Sequence, residues 1–167
     1  MKYNAEKLIT DARNIALEVH AGQRYGDREY FHHTDEVAAL ASALGYNAIV
    51  VATCHLHDSV EDTEETPESL LARNMPLIVV EGVQAVSSFD GEEMEPKIRR
   101  ARSHPIGHAT KFCDSSRNFA TSVSAPYVFT TEKTERFAKK YSDYLARLTP
   151  YLPTVEEIDE YTRSRID

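Results

Sequence analysis

Long apolar runs are missing from this chain. No stretch approaches the roughly 20 residues that a helix needs to cross a bilayer, which excludes a helical membrane span. Cysteine is scarce as well. Cys54 and Cys113 stand far apart, with neither metal-knuckle nor redox spacing, and they imply no disulfide framework. Both are expected as small buried apolar groups in a reducing compartment. Positive charge is in deficit: 19 Lys and Arg against 27 Asp and Glu give a net charge of −8. That balance argues against nucleic acid or an acidic membrane surface as the main partner. There are no repeats, no low-complexity segments and no linker long enough to divide the chain, so residues 1–167 are expected to form one domain. The opening MKYNAEKLITDAR is amphipathic and carries acids, unlike a signal peptide, and a cytoplasmic location is expected.

What is there reads as helix nearly throughout. Leu8, Ala12, Ile15, Ala16 and Val19 recur at helical spacing, with Gly22 placed as a stop. Thr34 is expected to cap a second helix with Val37, Leu40, Ala41 and Leu44 as its apolar stripe. Asn47 is expected to cap a third, apolar on all sides and therefore central. Thr66-Pro67 marks a further start. LIVVEGVQAV after Pro76 has strand-like composition, but its length and helical neighbours favour helix. A basic helix over 96–103 ends at His104-Pro105, and Phe137, Tyr141, Tyr144, Leu145 and Leu148 stripe a long one. Thr154 and Glu157 form a capping box for a last helix over 154–166. The expected fold is all-α, with about eight helices.

Charge is unevenly spread. Residues 58–68 hold six acids and no base, whereas 97–117 hold six bases and one acid, Asp114. That pattern suits a cation held beside a polyanion, or equally two solvated faces of opposite sign, and charge alone leaves both open. The acids begin in HLHDSVEDT at 55–63, directly after the apolar run AIVVATC. His55 and His57 point about 200° apart around a helix, so one ion cannot easily take both. His57 and Asp58 can act together only where the helix ends. His33 stands at the mouth of a loop and Asp114 in an apolar-flanked stretch far along the chain. Two imidazoles and two carboxylates make a mixed N/O set suited to Mn, Fe, Zn or Ni more than to Ca or Mg.

Together these pieces form a recognisable string: His20-Ala21-Gly22-Gln23, Tyr30-Phe31-His32-His33, Leu56-His57-Asp58-Ser59-Val60-Glu61-Asp62-Thr63, Lys111-Phe112-Cys113-Asp114 with Asn118, and more weakly Lys140-Tyr141. The string resembles the HD-domain metal-dependent phosphohydrolases. Among them it is similar to the hydrolase domain of RelA/SpoT enzymes and to small stand-alone alarmone hydrolases, over about residues 5–148. The resemblance implies an HD-type helical fold and one divalent ion per chain, usually manganese, on His33, His57, Asp58 and Asp114. It implies Glu61 and Asp62 as the catalytic pair and Lys111, Asn118 and Arg24 as substrate contacts, Asn118 on the nucleoside sugar. The partner would be a small phosphorylated nucleotide.

The sequence departs from the family pattern at Glu29 and Thr34, where prolines are usual, and at Cys113-Asp114-Ser115, where the usual arginine is displaced to Arg117. The metal and acid/base groups are intact, so hydrolysis is the expected activity. A guanosine polyphosphate losing its 3′ pyrophosphate is the first substrate to test. The alternatives are a phosphatase of another nucleotide, such as a nucleoside monophosphate or a 2′- or 3′-phosphorylated dinucleotide, and a nucleotide sensor without turnover.

Overall fold

A computed structural model describes residues 3–125 and 128–166. Helix α1 (Ala5–Val19) starts at Asn4, whose side chain accepts from the Lys7 N–H, and buries Leu8, Ala12, Ile15 and Ala16. After it the chain makes a hairpin of two-residue strands, β1 (Arg24–Tyr25) and β2 (Arg28–Glu29), antiparallel with Tyr25 opposite Arg28. The turn requires Gly26: its φ is +64°, and a Cβ there would meet Val128 at 2.3 Å. This short ribbon was not visible in the helical periodicity.

Helix α2 (Phe31–Ala43) follows the hairpin directly. Thr34 therefore does not cap it. The cap position is Tyr30, four residues earlier, and the buried Thr34 hydroxyl instead donates to the Phe31 carbonyl at 3.0 Å. The early start sets His33 in the first turn, facing inward. Helix α3 (Ala48–Leu56) is central as expected: Asn47 caps it by accepting from the Ile49 and Val50 N–H groups, and every residue from Ile49 to Leu56 is buried. His57 ends it, and the short α4 (Ser59–Asp62) turns away at once.

Then come α5 (Pro67–Ala72), capped by Thr66, and α6 (Leu77–Val86), so the stretch after Pro76 is helix. The next three are α7 (Met94–Arg102), α8 (Pro105–Ser124) with His104 as its cap, and α9 (Thr131–Leu148). A 3-10 turn at Thr149–Tyr151 leads to α10 (Val155–Ile166). Its capping box forms as the sequence indicated, Thr154 N–H to Glu157 Oε2 at 2.8 Å and Glu157 N–H to Thr154 Oγ1 at 3.2 Å. Helices α1, α2, α6 and α8 surround α3, and α9 packs along α8. The fold is all-α, and among the described residues the hairpin is its one sheet. Among the described residues no helix is long and apolar enough to cross a membrane.

Candidate active site

The site lies where α3 runs out. A helix end leaves backbone carbonyls without intrahelical donors, and the His57 ring supplies one: its Nδ1 lies 2.8 Å from the Cys54 carbonyl oxygen. That bond puts the proton on Nδ1 and leaves the Nε2 lone pair facing the cleft. Nε2 lies 2.9 Å from Asp58 Oδ2 and 3.6 Å from Asp114 Oδ1, yet it has no hydrogen-bond partner. His33 Nε2 approaches Asp114 Oδ1 to 3.3 Å. One ligand atom each from His33, His57 and Asp58 all lie within 4.8 Å of one another. The chain thus brings His33 from α2, His57 and Asp58 from the end of α3, and Asp114 from α8 to one point.

Burial makes this costly unless charge is balanced. Burial alone would lower the pKa of His57, but the Asp58 and Asp114 carboxylates override it and hold the ring well above the ordinary histidine range. Burial would likewise raise Asp58 and Asp114. His57 outweighs it for Asp58, and Lys111 with the two histidines for Asp114, so both stay below the usual carboxylate range. Without a metal the imidazole attracts a proton. A divalent cation would replace that proton, and the orphaned Nε2 with its carboxylate neighbours fits one. Two imidazoles and two carboxylates suit a transition ion.

The pieces of the motif string also explain one another. Gln23 donates to the Asp62 carbonyl at 2.8 Å and pairs with His20 Nδ1 at 2.8 Å, fixing the α4 turn. The His20 ring stacks on Tyr30, whose hydroxyl donates to Asp58. Glu61 accepts from the Ser88 N–H at 2.8 Å, and the Ser88 hydroxyl in turn accepts from Lys97. Burial, then the Asp58 and Glu61 charges, push the Asp62 carboxyl up to about 6.

Arg24, Lys111 and Asn118 all border the same cleft, but their bonds run to the protein. Arg24 donates to the Asp27 carbonyl, and Lys111 pairs with Asp114 at 2.9 Å. The Asn118 amide donates to Asp114, and its oxygen accepts from the Tyr25 hydroxyl at 2.7 Å. Of the other bases of 97–117, Lys97 borders the cleft, whereas Arg100 turns to Glu92, Arg102 lies over Tyr151 and Arg117 pairs with Glu36. Sequence reasoning missed Tyr25 and Lys133 as cleft residues, while Lys97 belongs to the basic segment it offered as a source of cations. Lys140-Tyr141 carried a weak signal through the family string, and both line the cleft.

Buried imidazoles and carboxylates that converge within reach of one cation, with a second carboxylate pair beside them, suit a metal-dependent phosphohydrolase. The chain belongs to the HD domain family, whose pattern it matches over residues 12–110. Asp114 lies just beyond that span and joins the site through the fold. Comparison with curated proteins gives no match. Among solved structures, one described as a metazoan ortholog of SpoT that hydrolyzes ppGpp and plays a role in starvation responses is similar over 99% of both chains, with a TM-score of 0.74 and 21% identity. At that identity the likeness speaks for the fold.

Proposed function

We propose that the chain is a guanosine-3′,5′-bis(diphosphate) 3′-pyrophosphohydrolase working with one manganese ion. The observation that carries this reading is the convergence of His33, His57 and Asp58 within 4.8 Å, beside a cleft lined by lysines. On this reading His33, His57, Asp58 and Asp114 hold the ion. When bound, it supplies Lewis acidity, activating water and offsetting charge at phosphorus.

The chain's own groups manage protons and position. With one oxygen held by Ser88 N–H, Glu61 offers a fixed carboxylate to orient water. Asp62, beside the ligand Asp58, works with Glu61 in orienting the water and moving its proton. Water oxygen bonds to the phosphorus attached to the ribose, the bond to the 3′ oxygen breaks, and pyrophosphate leaves. The carboxylate pair accepts a proton from water and returns one to the 3′ oxygen. Lys111 balances the charge of Asp114 beside the reacting phosphate, Arg24 guards the rim, and Asn118 orients Asp114.

The test is a panel of guanosine tetraphosphate, nucleoside monophosphates and 2′- or 3′-phosphorylated dinucleotides, scored for pyrophosphate against orthophosphate. Metal-dependent pyrophosphate release from the tetraphosphate is expected. Orthophosphate release from the others, with the tetraphosphate untouched, would make the chain a different nucleotide phosphatase. Binding without turnover throughout would make it a sensor.

A further inference from the structure

One wall of the cleft carries lysines that, among the described residues, make no direct ion pair with a carboxylate. On α9, Lys133, Phe137, Lys140, Tyr141 and Tyr144 fall at i, i+4, i+7, i+8 and i+11, which is one helical face, and all five line the cleft. Lys139, on the opposite side of the helix, pairs with Asp143 at 3.2 Å. Among the described residues Lys133 and Lys140 pair with no carboxylate. Their ammonium groups rest on aromatic faces instead: Lys133 lies 4.5 Å from the Phe129 ring centre and 5.1 Å from that of Phe137, and Lys140 lies 5.0 Å from that of Tyr141.

Such contacts hold a cation in place without neutralising it. Burial and then the neighbouring Lys111 push the Lys140 ammonium below the ordinary lysine range, against the opposing pull of Asp114 and Glu61, and burial and Lys111 act likewise on Lys97. In a chain of net charge −8, fixed cations that repel one another inside a cleft are stabilised by a bound anion. Seven residues of helix separate Lys133 and Lys140 by about 10 Å along the axis. Lys140 stands nearer the metal cluster, since it and Lys111 share the Tyr144 ring, whose centre is within 6 Å of both ammonium groups.

We propose that Lys133 and Lys140 form a second anion subsite, which takes the phosphate group at the far end of the nucleotide from the one that is cleaved. Its ligand class is a nucleoside phosphorylated on both the 3′ and the 5′ side. The 3′ group sits against His33, His57, Asp58 and Asp114, and the 5′ group lies along α9. The placement of the 3′ group rests on the proposed hydrolysis; the subsite itself rests on the two unpaired lysines.

The experiment uses two substrates cleaved at the same bond, guanosine 3′,5′-bis(diphosphate) and guanosine 3′-diphosphate, with wild type, Lys133→Gln, Lys140→Gln and the double variant. Glutamine removes charge and keeps much of the stem on the rings. The double variant is expected to raise KM for the 5′-phosphorylated substrate at least tenfold more than for its 5′-hydroxyl counterpart, and Lys133→Arg to retain discrimination. Equal KM changes on both substrates would overturn the subsite. Calorimetry on the metal-loaded protein with adenosine 3′,5′-bisphosphate and adenosine 3′-monophosphate repeats the comparison without turnover. If wild type cleaves neither guanosine nucleotide, yet the double variant loses tenfold affinity for the bisphosphate alone, the reaction is wrong and the subsite stands. If wild type cleaves both and the bisphosphate affinity is unchanged, the subsite is wrong and the reaction stands.

Discussion

His57 shows how one hydrogen bond selects chemistry at the residue scale. Its Nδ1–H, donated to the Cys54 carbonyl, leaves Nε2 as the only ring atom able to ligate. Tyr25 acts on the same centre from the other side. Its ring stacks on His33 at 4.5 Å and 7°, and its hydroxyl reaches Asp114 through Asn118. Outer contacts of this kind are worth roughly 10- to 100-fold in metal affinity. Tyr25→Phe, which keeps the stack and removes the hydroxyl, should weaken metal binding about tenfold, and Tyr25→Leu should weaken it further. Competition with a chromogenic chelator reads both, and wild-type affinity in Tyr25→Leu would deny the residue any part in holding the site. The side chains at the centre were legible because His57-Asp58 and Glu61-Asp62 stand within one short string. Tyr25 was not, because its role depends on a hairpin of two-residue strands, too short for any periodicity to register.

At the scale of the element, capping signals read well and linear charge density read poorly. Asn47, Thr66 and Thr154 each cap the helix that the sequence assigned to them. Asn47 also donates to Asp159 at 2.8 Å and to Thr162 at 3.1 Å, tying the start of α3 to α10. Asn47→Ala should therefore cost about 1–2 kcal/mol and lower the thermal midpoint by roughly 2–8 °C. An unchanged midpoint would show that α3 is held by its core contacts alone. The basic run at 97–117 misled because α7 and α8 distribute its side chains around their axes. Lys97 and Lys111 reach the cleft, while Arg99 faces solvent and Arg117 pairs with Glu36. The lysines that complete the wall come from α9, distant in sequence. Thr34 does not cap because the hairpin feeds α2 directly, so the helix is already under way when the chain reaches it.

For the whole molecule, histidines outside the site weaken the fold as the pH falls. Burial lowers the pKa of His104 and of His108, whose Nε2 lies 2.8 Å from the Leu148 carbonyl oxygen. In the unfolded chain both take up a proton near pH 6.5, whereas in the folded chain they do so only at lower pH. Their contribution to stability is therefore complete above about pH 6.5 and is lost as the pH falls below it. His55, pushed down to about 4 by burial, extends that window downward. His57 and Asp62 are raised in the folded chain and act in the opposite sense, so the readout is the difference between proteins. Between pH 7 and 5 the wild-type midpoint should fall more steeply, or rise less, than that of the double variant His104→Gln/His108→Gln. An identical slope would shift the cause to other groups.

The all-α architecture was legible in the sequence because the apolar spacing, caps and prolines agree with one another over most of the chain. The cleft was legible only in part, since its lysine wall is assembled by packing α9 along α8. The central claim joins the metal cluster to catalysis, and one titration addresses it directly. Protein stripped by a chelator is reloaded with manganese in fractions of an equivalent, and pyrophosphate release from guanosine 3′,5′-bis(diphosphate) is followed at each step. The account predicts no release at zero metal, a linear rise, and a break at one ion per chain. Full release from the stripped protein, or a rise that begins only after the first equivalent, would contradict it.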